Sequence, residues 1–600
     1  MRPIAVFLSV LVLTGSLAAQ ITLEWQNPLP QGFGLHSVSF ADKRNGVAVG
    51  AYGTVLRTSD GGTSWILQSA GTHELLMGVA FLNQRIGIIV GRHGTLLRTT
   101  NTGKTWLSIQ SGTDAFLSAV SFADSNTGTA VGQAILRTDD GGVHWTTQLR
   151  DTVSLDAVSM STKNVAVATG YGEMFRTTDG GLTWTRQAAR IHSYMTCVYF
   201  VDRNAGFVCG ISDTLLYTSD AGTTWGVRKK KMYTSLNAVA FQSATMGLGV
   251  GPNGSVLRTT DGGENWMEQI SGTQNELRAL SIIDSNNAIA VGQYGTVLQT
   301  LDGGRSWLRR TQGTDKWINA VAFTDPNAGI AVAHDGSILR TTNSGATWIV
   351  AKTRASNSLY EVTFASRNVG TAAGCCGVIL YTSDRGETWA KPIINSNKTL
   401  YAIAFGDTTM GIAVGEKGTI LRTTNAGAEW VVQRSGTRAN LRAVSFIDRL
   451  TGTAVGDGGL IIKTTNGGRN WVRQASGTNV TLAGVDFLNR KMGFIVGNQS
   501  KILKTTDGGT TWTTQPNPSQ HEFATNLYDV RFADRMTGFI VGQFGSIYYT
   551  QDGGNIWKLI ETDGESYLLR MALTGGRSAI VVGSGGSILR ATIDQTQGGR

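Results

Sequence analysis

Thr58-Ser59-Asp60-Gly61-Gly62-Thr63-Ser64-Trp65 governs how this chain is read, because close copies of it return along nearly the whole length. The closing tryptophan falls at 65, 106, 145, 184, 225, 266, 307, 348, 389, 430, 471, 512 and 557, mostly 41 residues apart, with two steps of 39 and one of 45. A fixed period of this size marks a repeat architecture whose units bury their faces against one another. The third position is acidic at Asp60, Asp140, Asp179, Asp220, Asp261, Asp302, Asp384, Asp507 and Asp552, and asparagine at Asn101, Asn343, Asn425 and Asn466. Asparagine keeps the acceptor oxygen and loses the charge. The position therefore reads as a turn-forming hydrogen-bond acceptor, with no part in acid–base or metal chemistry.

Each repeat holds four short β segments. In residues 440–475 they are Leu441-Arg442-Ala443-Val444-Ser445-Phe446, then Thr453-Ala454-Val455-Gly456, then Leu460-Ile461-Ile462-Lys463-Thr464, and after the turn Trp471-Val472-Arg473-Gln474. The 77 glycines against 8 prolines suit many tight turns between short strands. No helical periodicity runs through the repeats. The expectation is an all-β chain of fourteen four-stranded blades. Propellers carry about 4–8 blades, so fourteen imply two seven-bladed rings. The last repeat stops after Ser587-Ile588-Leu589-Arg590-Ala591-Thr592, whereas Leu23-Glu24-Trp25-Gln26 is a fourth strand with no preceding three. Trp25 is thus expected to close a ring by adding the outer strand to the last blade and covering its edge. The simple division is 21–310 and 311–600; closure by the termini would instead insert one ring within the other.

Met1-Arg2 followed by the apolar run Ile4–Ala18 reads as a signal peptide over residues 1–20. The rest is expected to be soluble and secreted, periplasmic or on the cell surface. Net charge is +10 over 600 residues, a mild bias without the density of a nucleic-acid-binding surface. No metal-ligand spacing, cofactor motif or nucleophile motif is present, so no cofactor is expected.

The turn resembles the Asp-box, or BNR repeat, of sialidase-like propellers. The fuller pattern Leu-x-Ala-Val-x-Phe, Gly-x-Ala-Val-Gly, Leu-Arg-Thr-Thr and Asp-Gly-Gly-x-x-Trp resembles the photosystem II assembly and stability factor family. That resemblance implies a non-catalytic scaffold, monomeric, that binds a protein or other macromolecular partner. The alternative is a tandem-propeller glycoside hydrolase of the xyloglucanase type, which needs two carboxylates at a set separation. Glu74, Asp114, Asp315, Asp335, Glu416 and Asp457 lie in the relevant loops, and none sits in an insertion.

Departures from the repeat mark candidate binding surfaces. Arg228, Lys229, Lys230 and Lys231 are assigned to a loop between repeats, suited to an acidic partner, a polysaccharide or peripheral contact with an anionic surface. Trp317 is placed in another such loop as a partner anchor or sugar platform. Cys375-Cys376 occupy the turn between second and third strands, bridged or reduced. Cys197 and Cys209 face each other if Phe200 pairs with Gly206, as a disulfide or two buried thiols. The cation ending the third strand (Arg57, Arg98, Arg137, Arg176, Arg258, Arg340, Arg422, Arg590, with Lys463 and Lys504) is expected to pair with an Asp of its own blade, such as Asp42, Asp124, Asp202, Asp284, Asp448 or Asp534.

Overall fold

The computed structural model describes residues 21–27, 32–150, 154–187, 194–210, 214–230, 235–311, 316–351, 357–392, 394–516, 524–560, 562, 566–575 and 578–593. The signal-peptide reading lies outside these residues. The described chain forms fourteen antiparallel sheets, and helix is confined to single 3-10 turns such as Glu416–Gly418.

The first complete repeat shows the plan. Its strands are Leu35–Phe40, Gly46–Gly50, Val55–Thr58 and Ile66–Gln68, hydrogen-bonded in that order. The second strand is buried throughout, whereas the fourth lies at the outside. Gly46 opens the second strand because Phe40 packs flat on it; a Cβ there would come within 2.7 Å of the ring. The same ring meets Trp65 edge-on, with centroids 6.0 Å apart at 85°.

The turn before Trp65 is held as its residue types require. Asp60 Oδ1 accepts from the Ser64 N–H (2.9 Å) and the Thr58 hydroxyl (2.8 Å), and the Thr58 oxygen accepts from the Gly62 N–H at 2.9 Å. Gly61 and Gly62 sit at φ +74° and +89°, a region that side chains resist. At Asn101 and Asn343 the amide reverses one bond: Asn101 Oδ1 still accepts from the Thr105 N–H at 3.0 Å, while Nδ2 donates to the Thr105 hydroxyl at 2.8 Å, and Asn343 Nδ2 donates to the Thr347 hydroxyl at 2.9 Å.

One sheet departs from four strands. Leu359–Phe364, Gly370–Gly374 and Ile379–Thr382 form a three-stranded sheet, and among the described residues only an isolated bridge, Tyr381 to Ala390, marks the fourth. Pro392 stands three residues after Trp389. The equivalent Ile109, Arg310, Ala351 and Gln515 each donate their N–H to the third strand. Proline has no N–H to give.

The chain divides into two units, residues 29–312 and residues 1–28 with 313–600, each holding seven sheets. Within each, the first strands of successive sheets pack side by side, and the order of neighbours returns to its start. Leu35–Phe40 packs against Leu277–Ile282 in one unit, and Ile318–Phe323 against Leu568–Gly575 in the other. Apolar clusters fill the seams, as where Leu35, Val38 and Leu56 meet Ile289, Val291 and Val297. Strand Ile21–Asn27 is the outer strand of the last sheet, antiparallel to Ile588–Ile593, with Trp25 opposite Leu589. Residues 21–27 therefore belong with the second half of the chain, and the division at residue 310 misplaces them. Ile21–Asn27 occupies the edge of Ile588–Ile593 where the other four-stranded sheets carry the fourth strand of their own repeat.

The strand-end cations make a different bond from the one expected. Arg57 Nε donates to Thr102 O (2.9 Å), Arg98 Nε to Gly141 O (3.0 Å), Arg137 Nε to Gly180 O (2.9 Å) and Arg258 Nε to Gly303 O (2.9 Å). Each reaches across a seam to the Asp-box turn of the next sheet. Lys463 and Lys504 do the same to Gly508 and Gly553, and Gln299 to Gly61 (2.8 Å) joins the seventh sheet of its unit to the first. Arg590 reaches Ser344. Asp42 instead caps its own turn, accepting from the N–H groups of Arg44 and Asn45 at 2.7 and 2.8 Å. The long side chain reaches a carbonyl of the next turn, while Arg57 Nη2 also donates to Asn45 Oδ1 in the turn of its own sheet at 3.0 Å.

Candidate functional site: the aromatic loop face of residues 313–593

Turns between second and third strands lie beside the loops that enter the first strands: the Cys375 N–H donates to Ser358 O at 2.9 Å, and that of Glu416 to Thr399 O at 2.8 Å. This places the variable residue at the start of each first strand on the same face as those turns. In the unit of residues 313–593 that face carries a run of aromatic side chains. Trp317, 42% exposed, stacks on Tyr567 with centroids 5.8 Å apart at 22°. The His334 N–H donates to the Trp317 carbonyl, and its exposed ring meets Tyr360 at 6.2 Å. Tyr360 meets Tyr401 at 6.0 Å. The Arg442 guanidinium lies 4.8 Å over Tyr401 and is held by Asp457 through bonds of 2.9 and 3.1 Å. Asn440 donates to the same carboxylate at 2.8 Å. Burial opposes the charge on Asp457, but the bonds from Arg442 and Asn440 outweigh it and hold its pKa below the usual carboxylate range.

Beneath this face a charged cluster occupies the axis. Arg570 meets Glu361 at 3.4 Å, although their sheets are not neighbours in the cycle. Arg531 lies 3.5 Å from Asp529 and 3.7 Å from Asp486. Asp486 and Asp529 also cap unpaired strand edges, accepting from the N–H groups of Phe532 and Met571, each at 3.1 Å. Elsewhere serine does that work: Ser39 accepts from Phe81 at 3.2 Å. Desolvation pushes the Glu361 and Asp486 carboxyls up, against the pull of Arg570 on the first and Arg531 on the second. The other unit has uncharged Ser, Ala, Gly, Cys and Tyr at the corresponding strand positions. Its loop face carries His36, where burial first and Arg278 second lower the imidazole pKa to about 3, and Asp156, raised by burial.

The residues singled out from sequence divide between these surroundings. Trp317, Cys375 and Cys376 lie on the aromatic face. Arg228 does not belong to a loop: Gly226–Lys230 is the fourth strand of its sheet, paired through Thr214–Lys230 and Leu215–Lys229. Arg228 Nε donates to Gly262 O at 3.2 Å, and its guanidinium lies 4.8 Å over Tyr217. It makes the seam bond that Tyr217, at the end of the third strand, cannot make. Alternation in Gly-Val-Arg-Lys extends the strand past the expected boundary. The side chains of Lys229 and Lys230, and all of Lys231 and Asp315, lie outside the described residues. Cys197 and Cys209 are opposite in register and joined by a disulfide, with Phe200 paired to Gly206. Glu74 pairs with His93 at 3.0 Å, and Glu416 with Lys417 at 3.4 Å. Asp335 caps the Ser337 N–H at 2.9 Å, and Asp114 is exposed. Among the described residues no group of three or more His, Cys, Asp or Glu is placed to hold a metal ion.

The sequence reading passed over the tyrosines and the axial charges. Their signal is positional: the second residue of Leu-x-Ala-Val-x-Phe is tyrosine at 360, 401 and 528, and its usual Ala or Ser becomes Glu361, Asp529, Arg570, Asp486 or Arg531.

The family model of the photosynthesis system II assembly factor YCF48 matches residues 18–153, 231–312, 392–479 and 473–597. The chain belongs to that family. A search of the curated proteins finds no match. Among solved structures, a YCF48 protein bound to a D1 peptide aligns with 47% of this chain and 93% of its own, at 20% identity and a TM-score of 0.42. The GH74 xyloglucanase of Xanthomonas campestris aligns with 96% of this chain and 100% of its own, at 15% identity and a TM-score of 0.57. PorZ, a surface component of the type-IX secretion system of Porphyromonas gingivalis, aligns with 94% of this chain and 86% of its own, at 10% identity and a TM-score of 0.59. At these identities, the likeness to the xyloglucanase and to PorZ speaks for the fold and leaves the chemistry open.

Proposed function

We propose that this YCF48-family chain is a non-catalytic binding protein, working outside the cytoplasm, that holds an extended segment of a protein partner on the aromatic face of residues 313–593. The observation that carries this reading is the run Trp317–Tyr567 and His334–Tyr360–Tyr401–Arg442. Stacked aromatic rings and a fixed guanidinium offer large contact area at little entropic cost, the chemistry of binding hot spots. The family's description as an assembly factor supports a protein partner. Asp457, the carboxylate in the run, is committed to Arg442 and held ionised, which suits anchoring and not proton donation.

Selection of a random-peptide display library on the purified protein tests this. The expected result is enriched peptides whose affinity falls at least tenfold for Trp317→Ala and for Tyr401→Ala. Enriched peptides indifferent to both substitutions, or release of reducing ends from xyloglucan by the purified protein, would overturn it.

A further inference from the structure

The turn Cys375–Gly377 has the same geometry as its counterparts. Cys376 sits at φ +57°, beside +53° for Lys417 and +52° for Tyr294. The Val378 N–H closes the turn on Cys375 O at 3.0 Å, as Thr419 does on Glu416 and Thr296 on Gln293. The fold thus makes this turn without sulfur. The two thiols nonetheless point at one another, with Sγ atoms 3.0 Å apart, Cys376 exposed and Cys375 half-buried. The chain's other two cysteines, Cys197 and Cys209, are bridged to each other. Tyr360, whose phenol pKa is raised by burial and further by Cys375, Tyr401 and Cys376, stands beside the pair on the aromatic face.

We propose that Cys375 and Cys376 are a redox-active dithiol site that exchanges reversibly with a disulfide donor. The Cys376 thiolate attacks one sulfur of the donor and expels the first thiol, leaving a mixed disulfide. Cys375, giving up its proton, then attacks Cys376 Sγ and expels the second thiol. Two electrons pass from the pair to the donor, and the two protons leave on the released thiols. Adjacent residues hold their Cα atoms about 3.8 Å apart, short of the roughly 4.4–6.8 Å that an unstrained bridge spans. The oxidised form is therefore strained and easily reduced, as a reversible couple requires and a structural staple does not. The site stands independently of what the aromatic face binds.

Equilibration of the purified protein in glutathione/glutathione-disulfide buffers, followed by acid quench, alkylation and peptide mass spectrometry, tests it. The expected result is a peptide spanning 374–377 that loses two hydrogens, escapes alkylation, and reverts under reduced glutathione at a poise where Cys197–Cys209 stays bridged. Cys375→Ser should leave Cys376 with a glutathione adduct and no bridge. Thiols that alkylate fully at every ratio, two glutathione adducts on one chain, or disulfide-linked dimers would overturn the proposal.

Discussion

Replacing Arg531 with methionine removes the positive charge between Asp529 and Asp486 while keeping most of the side-chain length. At 3.5 and 3.7 Å, each contact is worth about 5 kcal/mol at an effective dielectric of about 20. The desolvation cost of the guanidinium offsets much of that. About a third of the Arg531 side chain (34%) remains exposed at the axis, which lowers the net value further. Measured losses on removing one partner of a buried pair run about 3–5 kcal/mol, so a loss of about 3 kcal/mol at pH 7 is expected for Arg531→Met. Its pH dependence separates this cause from simple misfolding. Glu361 and Asp486 have carboxyl pKa values raised in the folded state. A raised carboxyl favours folding while it is protonated, and that benefit is lost as pH rises from the unfolded value through the folded one. Without Arg531 these carboxyls rise further. The deficit of the variant must then be largest at neutral pH and shrink as the solution is acidified towards the ordinary carboxylate range. Hydrogen exchange read by mass spectrometry on peptides covering 482–487, 527–532 and 568–575 measures this, with strands of residues 29–312 as the internal reference. Equal protection in variant and wild type, or a deficit unchanged between pH 7 and pH 5, would refute the reasoning.

Asp302→Asn should cost less than about 1 kcal/mol at neutral pH, because the exposed carboxylate is screened and asparagine keeps the acceptor. Bonds from Ser306 outweigh desolvation and lower the Asp302 pKa to about 2, so its contribution is present above pH 3.8 and lost as pH falls towards 2. Urea unfolding across that window should show the acid loss reduced in the variant. Arg258→Ala should destabilise the seam by about 2 kcal/mol, since it orphans the Gly303 carbonyl, and amide exchange in the turn 300–307 reads the loss. Pro392→Thr supplies the missing N–H, so the residue 392 amide should become protected and the fourth strand of that sheet should lengthen.

The repeat, its four strands and the acceptor role of the Asp/Asn position were legible from residue order, because each rests on bonds within about ten neighbouring residues. The fourth-strand character of Leu23-Glu24-Trp25-Gln26 could likewise be read from its residues, and the strand pairs with Ile588–Ile593. Side chains that reach across a seam were not legible. Arg57 and Asp42 share a blade and attract one another on paper, yet the guanidinium is long enough to meet Thr102 of the next sheet, and only the angle between sheets decides that. Arg228 looked like a loop cation because charge runs favour solvent, whereas the seam left open by Tyr217 drew it into a strand. The aromatic face and the axial charges belong to the same class. Tyr360 and Tyr401 are 41 residues apart, and Glu361 and Arg570 are 209. They come together because first strands converge on a common axis, a condition set by packing seven sheets in a cycle and not by any stretch of chain alone.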